Sequence, residues 1–282
     1  MTRRLAILFT VFVFLLLPAA GQEKPLYFIM MTDPQFGMYQ ADKGFERETA
    51  NYEFAVAAVN RLKPAFVVVL GDLVNKEGDT EQINEFTRIT KKIDPSIPVY
   101  LVAGNHDVGH EPTPESIAAY RTNVGRDYYS FRAGPVYGIV LNSTLILNSK
   151  KTEGEYQEQI SWFKKELEAA KASGARHIIV FQHHPYFANE PNEPDSWGNI
   201  PLERRRQMLE LMHSAGVRYV FAGHVHKNSV AKDGDFEMTA IGPVGMPFGE
   251  DGSGIRLAYV TDSGVQHRYY HFGKMPDTLG LK

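Results

Sequence analysis

Five apolar runs in this chain each stop at an Asp, Asn or His, and that recurrence constrains the fold more than any other feature. Leu26 to Thr32 (LYFIMMT) ends at Asp33, Phe66 to Leu70 (FVVVL) runs into Gly71-Asp72, and Pro98 to Ala103 (PVYLVA) runs into Gly104-Asn105-His106-Asp107. His177 to Gln182 (HIIVFQ) leads to His183-His184-Pro185, and Arg218 to Ala222 leads to Gly223-His224-Val225-His226. Short apolar runs bounded by turn residues read as buried strands. Amphipathic stretches lie between them, at 46–63 (Phe54, Ala55, Ala58, Val59 and Leu62 on one face), 81–92, 155–173 and 202–214. The first part therefore reads strand–helix–strand–helix–strand, which implies parallel strands with helical crossovers. Residues 128–132 and 136–142 read as a hairpin around Ala133-Gly134-Pro135, and the tail (236–241, 255–261, 265–270) reads as antiparallel strands. The expected fold class is α/β: two packed mixed β-sheets flanked by helices, a four-layer α/β/β/α sandwich, formed by a single domain over residues 22–282.

The first residues have a different character. Arg3 and Arg4 precede an apolar run from Leu5 to Leu17, followed by Pro18-Ala19-Ala20-Gly21-Gln22. A basic start, a short apolar core and small residues predict a secretory signal peptide over 1–21, cleaved before Gln22, and an extracytoplasmic (secreted or periplasmic) location. The other reading is an uncleaved anchor, but a spanning helix needs roughly 20 apolar residues and this run is shorter. No stable membrane span is expected after cleavage. The chain has no cysteine, which excludes disulfides, thiolate ligands and a lipidated N-terminal Cys. A formal charge of −3 does not indicate a nucleic-acid partner.

In an open α/β sheet, ligands bind beyond the carboxyl ends of the strands. Asp33, Asp72, Asn105, His183, His224 and His226 are all expected on that rim. They are oxygen and imidazole donors, suited to Mn, Fe or Zn. Two carboxylates, an amide and three imidazoles exceed what one tetrahedral ion needs, so two divalent metal ions are the natural occupants. Residues two apart on a strand share a face, and a turn at His224-Val225-His226 is what would aim the two rings at different ions.

These blocks resemble the signature of the calcineurin-like metallophosphoesterases: Asp-x-His, Gly-Asp-x-x, Gly-Asn-His-Asp/Glu, a lone His, and Gly-His-x-His. Here they read Asp33-Pro34-Gln35, Gly71-Asp72-Leu73-Val74-Asn75, Gly104-Asn105-His106-Asp107, His183 and Gly223-His224-Val225-His226. The Ser/Thr protein phosphatase type found in animals is the nearer pattern, through TDPQFG, VLGDL, VAGNHDVG, FQHHP, FAGHVH and HRYY, from about Tyr27 to His271. The resemblance implies a phosphoesterase, most simply a phosphatase, acting on a phosphorylated small molecule or phosphoprotein. It implies that Asp72 bridges both metals, that Asp33 and His226 hold the first, and that Asn105, His183 and His224 hold the second. It further implies that two such ions would acidify a water for attack on phosphorus, with His106 facing the substrate as general acid.

Two positions depart from that pattern. Gln35 stands where the family has His, so an amide oxygen is the expected metal donor there. Asn75 stands where protein phosphatases often have an Asp that orients the catalytic His; a neutral amide does not hold an imidazolium by charge, so either His106 is a weaker acid or Asp107 holds it instead. His184 and Arg256 are further candidates beside the substrate, with a surface salt bridge as the other reading of Arg256. His110, His177, His213 and His271 read as structural or surface residues, and Trp197 as a rim residue. Substrate choice is expected to lie in loops 38–45, 144–154 and 188–199. The rival to catalysis is a non-catalytic protein that keeps the metals as a clip and binds phosphate, a reading left open by Gln35 and Asn75.

Overall fold

A computed structural model describes residues 25–280 of the chain; the signal peptide expected over 1–21 lies outside them. In chain order the elements are β1 (Leu26–Met31), α1 (Glu46–Leu62), β2 (Phe66–Val69), α2 (Thr80–Thr90), β3 (Val99–Leu101), α3 (Asn105–Val108), α4 (Pro114–Asn123), β4 (Tyr129–Ala133) and β5 (Val136–Val140). They continue with α5 (Ser143–Leu147), α6 (Glu153–Ala172), β6 (His177–Phe181), α7 (Leu202–Ala215), β7 (Tyr219–Ala222), β8 (Ser229–Asp233), β9 (Phe236–Ala240), β10 (Gly254–Val260) and β11 (Val265–His271). Two mixed sheets result, ordered β11-β10-β1-β2-β3 and β4-β5-β6-β7-β9-β8.

The period-2 alternation of side chains along a strand makes the layers. On β1, Phe28 and Met30 point into the space between the sheets, while Ile29 and Met31 pack outward. On β6, Ile179 and Phe181 point inward, while Ile178 and Val180 pack outward. The outward face of the first sheet is covered by Tyr52, Val56 and Val59 of α1 and Phe86 and Ile89 of α2. That of the second is covered by Phe163 and Leu167 of α6 and Met208 and Met212 of α7. Between the sheets, Phe28 stacks on Phe66 at 4.7 Å and meets Phe181 and Phe221 edge-on at 6.0 and 6.2 Å. Such aromatic pairs each add about 0.5–1.5 kcal/mol beyond their burial, and here they fix one sheet against the other beneath the strand ends.

β1, β2 and β3 run parallel, as do β5, β6 and β7. Their carboxyl ends meet at one edge of the sandwich, which brings the five polar blocks together. The tail differs from the expectation: β10 and β11 are antiparallel, but β9 runs parallel to β7 and only its other neighbour, β8, is antiparallel. Four short elements were not anticipated, namely α3, α4, α5 and β8. The helix α4 did carry a start signal, with Thr113 and Ser116 capping each other's backbone and Pro114 at the first position. β8 (SVAKD) is a polar edge strand with no apolar run to mark it. Among the described residues, no helix is long and apolar enough to cross a membrane.

Candidate metal centre

The turns that leave the strands are conformationally unusual. Among the described residues, eight non-glycine residues have positive φ, and five of them are Asp33, Gln35, Asp72, His224 and His226. This region is sparsely populated for L-residues and concentrates at functional sites. It reverses the chain immediately after each strand, so the side chains turn back over the sheet edge. Gly71, itself at φ 85, has no Cβ because one would sit 2.6 Å from Nδ1 of His183. The Asp33 and Asp72 turns are laced together: the Asp33 N–H donates to the Gly71 carbonyl at 3.1 Å and the Gln35 N–H to that of Asp72 at 2.9 Å.

Two clusters of candidate ligand atoms, each mutually within 4.8 Å, stand on this edge: Asp33, Asp72 and His226 in one, and His183, His184 and His224 in the other. Nε2 of His183 lies 3.1 Å from Oδ2 of Asp72 and 3.2 Å from Oδ1 of Asn105, and Nε2 of His226 lies 3.4 Å from Oδ1 of Asp33. All of these but His224 are buried. The two rings of His224-Val225-His226 fall in different clusters, as the expected turn requires.

Backbone carbonyls orient the imidazoles. Nδ1–H of His183 donates to the Leu70 carbonyl at 2.8 Å and that of His226 to Met246 at 2.5 Å, so Nε2 of each faces the carboxylates. His224 uses its other nitrogen, donating from Nε2 to the Trp197 carbonyl at 2.9 Å. An imidazole that spends its one N–H this way presents a lone pair, the arrangement that metal-binding histidines need. Asn105 is held likewise: its Nδ2 approaches Nδ1 of His110 at 3.3 Å, so its oxygen faces His183.

The charges suit a cation. Burial pushes the Asp72 carboxyl up, but His183, by charge and hydrogen bond, pulls it far below the usual carboxylate range. Burial works against a charged His183, and Asp72 overcomes it, raising this imidazole to about 9. His226 is raised in the same way by Asp33 against burial. Burial and the neighbouring His183 lower His224 to about 4; burial and both neighbours lower His184 well below its ordinary value. A cation there would supply the positive charge that these carboxylates otherwise draw from the imidazoles. Gln35 supplies the most direct test of fit. Its Oε1 is buried without a protein partner, while its Nε2 is occupied by Asn75. A buried amide oxygen with no donor costs about 1–3 kcal/mol, and a hard cation beside Asp33 would satisfy it. The residues present fit a pair of divalent metals.

His106 belongs to neither cluster. Its backbone N–H donates to Oδ1 of Asp72 at 2.9 Å, and its Nδ1–H donates to the Asn75 carbonyl at 2.6 Å. The expectation that Asp107 takes over this role is corrected. The Asp107 carboxylate accepts from the N–H groups of Gly104 (2.7 Å), Leu73 (2.8 Å) and Val74 (3.3 Å), tying the Asp72 and Asn105 turns together. The main-chain carbonyl at position 75 orients the His106 ring as an Asp side chain would, without a carboxylate's charge. Burial and Asp72 push the Asp107 carboxyl up, to about 8, against those donors.

Of the two readings of Arg256, the surface salt bridge is the one the structure overturns: the guanidinium is buried, with NH1 2.8 Å from Nδ1 of His267 and NH2 donating to Oδ1 of Asn228 at 2.7 Å. His110, read as a structural or surface residue, lies beside Asn105, with its ring 4.9 Å from that of His106. It stands past Gly109, beyond the end of α3, so helical spacing gave no signal for it. Two exposed aromatic residues rim the centre: Trp197, with its ring 5.4 Å from that of His224, and Phe248, stacked on His226 at 4.4 Å.

The comparisons agree with this geometry. The family model for calcineurin-like phosphoesterase matches residues 27–228. Serine/threonine-protein phosphatase CPPED1 of Bos taurus is 37% identical over 268 residues, covering 90% of this chain and 86% of that one. In fold, the chain is similar to a purple acid phosphatase from yellow lupin (TM-score 0.66, 16% identity, 92% of this chain and 53% of that one). It is also similar to a dimetal phosphatase from Danio rerio (TM-score 0.58, 14% identity, 88% and 100%). With the sandwich, the paired donor clusters and the matching blocks in order, the chain belongs to the calcineurin-like phosphoesterase family and is a metal-dependent phosphoric ester hydrolase of its dinuclear kind.

Proposed function

We propose that this enzyme is a phosphatase in which Asp72 is shared between two cations, Asp33, Gln35 and His226 complete one set of ligands, and Asn105, His183 and His224 complete the other. Mn, Fe or Zn suits these donors, and a pair of such ions supplies Lewis acidity at the phosphoryl oxygens and an acidified water. His106 is the general acid. With Nδ1–H on the Asn75 carbonyl, its Nε2 is the nitrogen left for substrate, and in the imidazolium form it delivers a proton to the departing oxygen. The observation that carries the reading is the double anchoring of His106, by backbone to Asp72 and by ring to Asn75, beside the shared carboxylate but outside both clusters. The substrate is a phosphate ester of a small molecule or protein. The basic, apolar and small-residue pattern of residues 1–22 supports an extracytoplasmic setting, in which small phosphorylated metabolites, nucleotides or glycans outnumber phosphoproteins.

The test is His106→Ala. It should retain both metals and lose turnover by about 10²–10⁴-fold on alkyl phosphates, with a smaller loss on p-nitrophenyl phosphate, whose leaving group needs little protonation. Equal losses on both would show that His106 positions phosphate and donates no proton. A wild-type protein that turns over neither monoester nor diester with added Mn²⁺ would restore the non-catalytic reading.

A further inference from the structure

His184 stands apart from the other imidazoles of the centre. Its side chain is fully buried, and its ring lies 4.3 Å from that of His224 and 4.9 Å from that of His183. Ser143, the first residue of α5, decides where its proton sits. The Ser143 Oγ accepts from the backbone N–H of His183 at 3.1 Å and of His184 at 2.8 Å. A hydroxyl has two lone pairs and one proton. With both lone pairs taken, the third contact, 2.9 Å to Nδ1 of His184, uses the hydroxyl proton. Nδ1 is then the acceptor, and the ring proton is on Nε2. That Nε2 is buried and has no partner in the protein.

The polarity is the reverse of the neighbours'. His183 and His226 anchor Nδ1–H on a carbonyl and turn Nε2 to the carboxylates of the centre. His184 turns a bare nitrogen to Ser143 and keeps its N–H for the centre. Although it clusters with His183 and His224, a protonated Nε2 has no lone pair to give a cation. It is suited to an oxyanion.

We propose that the Nε2–H of His184, oriented by Ser143, donates a hydrogen bond to a non-bridging oxygen of the bound phosphoryl group, making His184 a catalytic residue and not a metal ligand. The inference rests on the phosphatase reading. A preorganised donor aimed at an oxyanion stabilises charge on that oxygen without reorganising during the reaction.

The probe is inorganic phosphate, titrated calorimetrically into the zinc-loaded protein. His184→Leu should weaken phosphate binding by about 10- to 150-fold, the range for a hydrogen bond to a charged group, and leave both zinc affinities unchanged. His184→Gln, which places an amide N–H near the position of Nε2, should recover most of the loss. A fall in zinc affinity with phosphate binding intact would make His184 a ligand and overturn the proposal. Unchanged phosphate affinity in both variants would overturn it too. Nitrogen-15 NMR of the zinc-loaded wild type needs no variant to fold: Nε2 should carry the proton, and its resonance should move on adding phosphate. The opposite tautomer, or a resonance indifferent to phosphate, overturns the proposal. Phosphate binding that depends on His184 in a protein without turnover would sink the phosphatase reading alone.

Discussion

Gln35 donates from Nε2 to Oδ1 of Asn75 at 3.2 Å, and this one bond leaves Oε1, buried and without a partner among the described residues, as the free end of its amide. Asn75 has no choice in the matter, because its own Nδ2 donates to Asp42 at 2.8 Å and leaves only Oδ1 to accept. The two departures from the family pattern are therefore coupled: the amide at 75 holds the nitrogen end of the amide at 35 and leaves its oxygen to accept.

The coupling predicts a graded series in metal affinity. Gln35→His should tighten the site formed with Asp33, Asp72 and His226 and shift it toward Zn or Fe, since imidazole is the stronger donor. Gln35→Met, without a hard oxygen, should weaken it. Asn75→Ala should weaken it less, by freeing the amide to turn. Chelator competition at both sites reads out the series. Identical affinities throughout would mean that Gln35 touches no cation.

Asp107 should behave as a structural tie and not as a partner of His106. Asp107→Ala leaves three N–H groups, those of Leu73, Val74 and Gly104, without their acceptor. Each one left buried and unpaired costs about 1–3 kcal/mol. Chemical denaturation should show the loss, and the leaving-group dependence of turnover should survive in whatever protein remains folded. Intact stability with an altered leaving-group dependence would return Asp107 to His106.

Glu237 gives a pH signature away from the metals. Burial raises its carboxyl, but the His267 ring, 2.6 Å away, outweighs burial and leaves it below its ordinary value. A carboxyl depressed in the folded state contributes stability above its unfolded pKa, about 4.3, and loses it as pH falls through the folded value. At neutral pH the wild type should be more stable than Glu237→Gln. The gap should close as the pH is taken from about 5 to below 4. A gap that persists unchanged at about pH 3 would show that the charge of Glu237 is not what stabilises the fold.

Export should leave a mass signature. Protein from the native host's extracytoplasmic fraction should lack about its first 21 residues, as the small residues before Gln22 suggest. Full-length protein in the cytosol would defeat the idea.

What the sequence by itself determined is the set of donors and the edge on which they stand. Apolar runs that end in Asp, Asn or His are local features, and the period of the helices between them makes the strands parallel, so Asp33, Asp72, Asn105, His183, His224 and His226 had to share one rim. The orientation of each group was not local. His183 is turned by the Leu70 carbonyl, 113 residues away in sequence, Gln35 by Asn75, 40 away, and His184 by Ser143, 41 away. A ring nitrogen or an amide end is chosen by whichever partner completes its hydrogen bond, and strand pairing brings that partner into place. For the same reason Asp107 left His106 for three backbone N–H groups, and Arg256 was drawn between His267 and Asn228. Residue type and strand-end position follow from hydrophobic patterning along the chain, whereas the proton each imidazole carries, and so whether it binds a metal or an anion, is decided only when the two sheets close on each other.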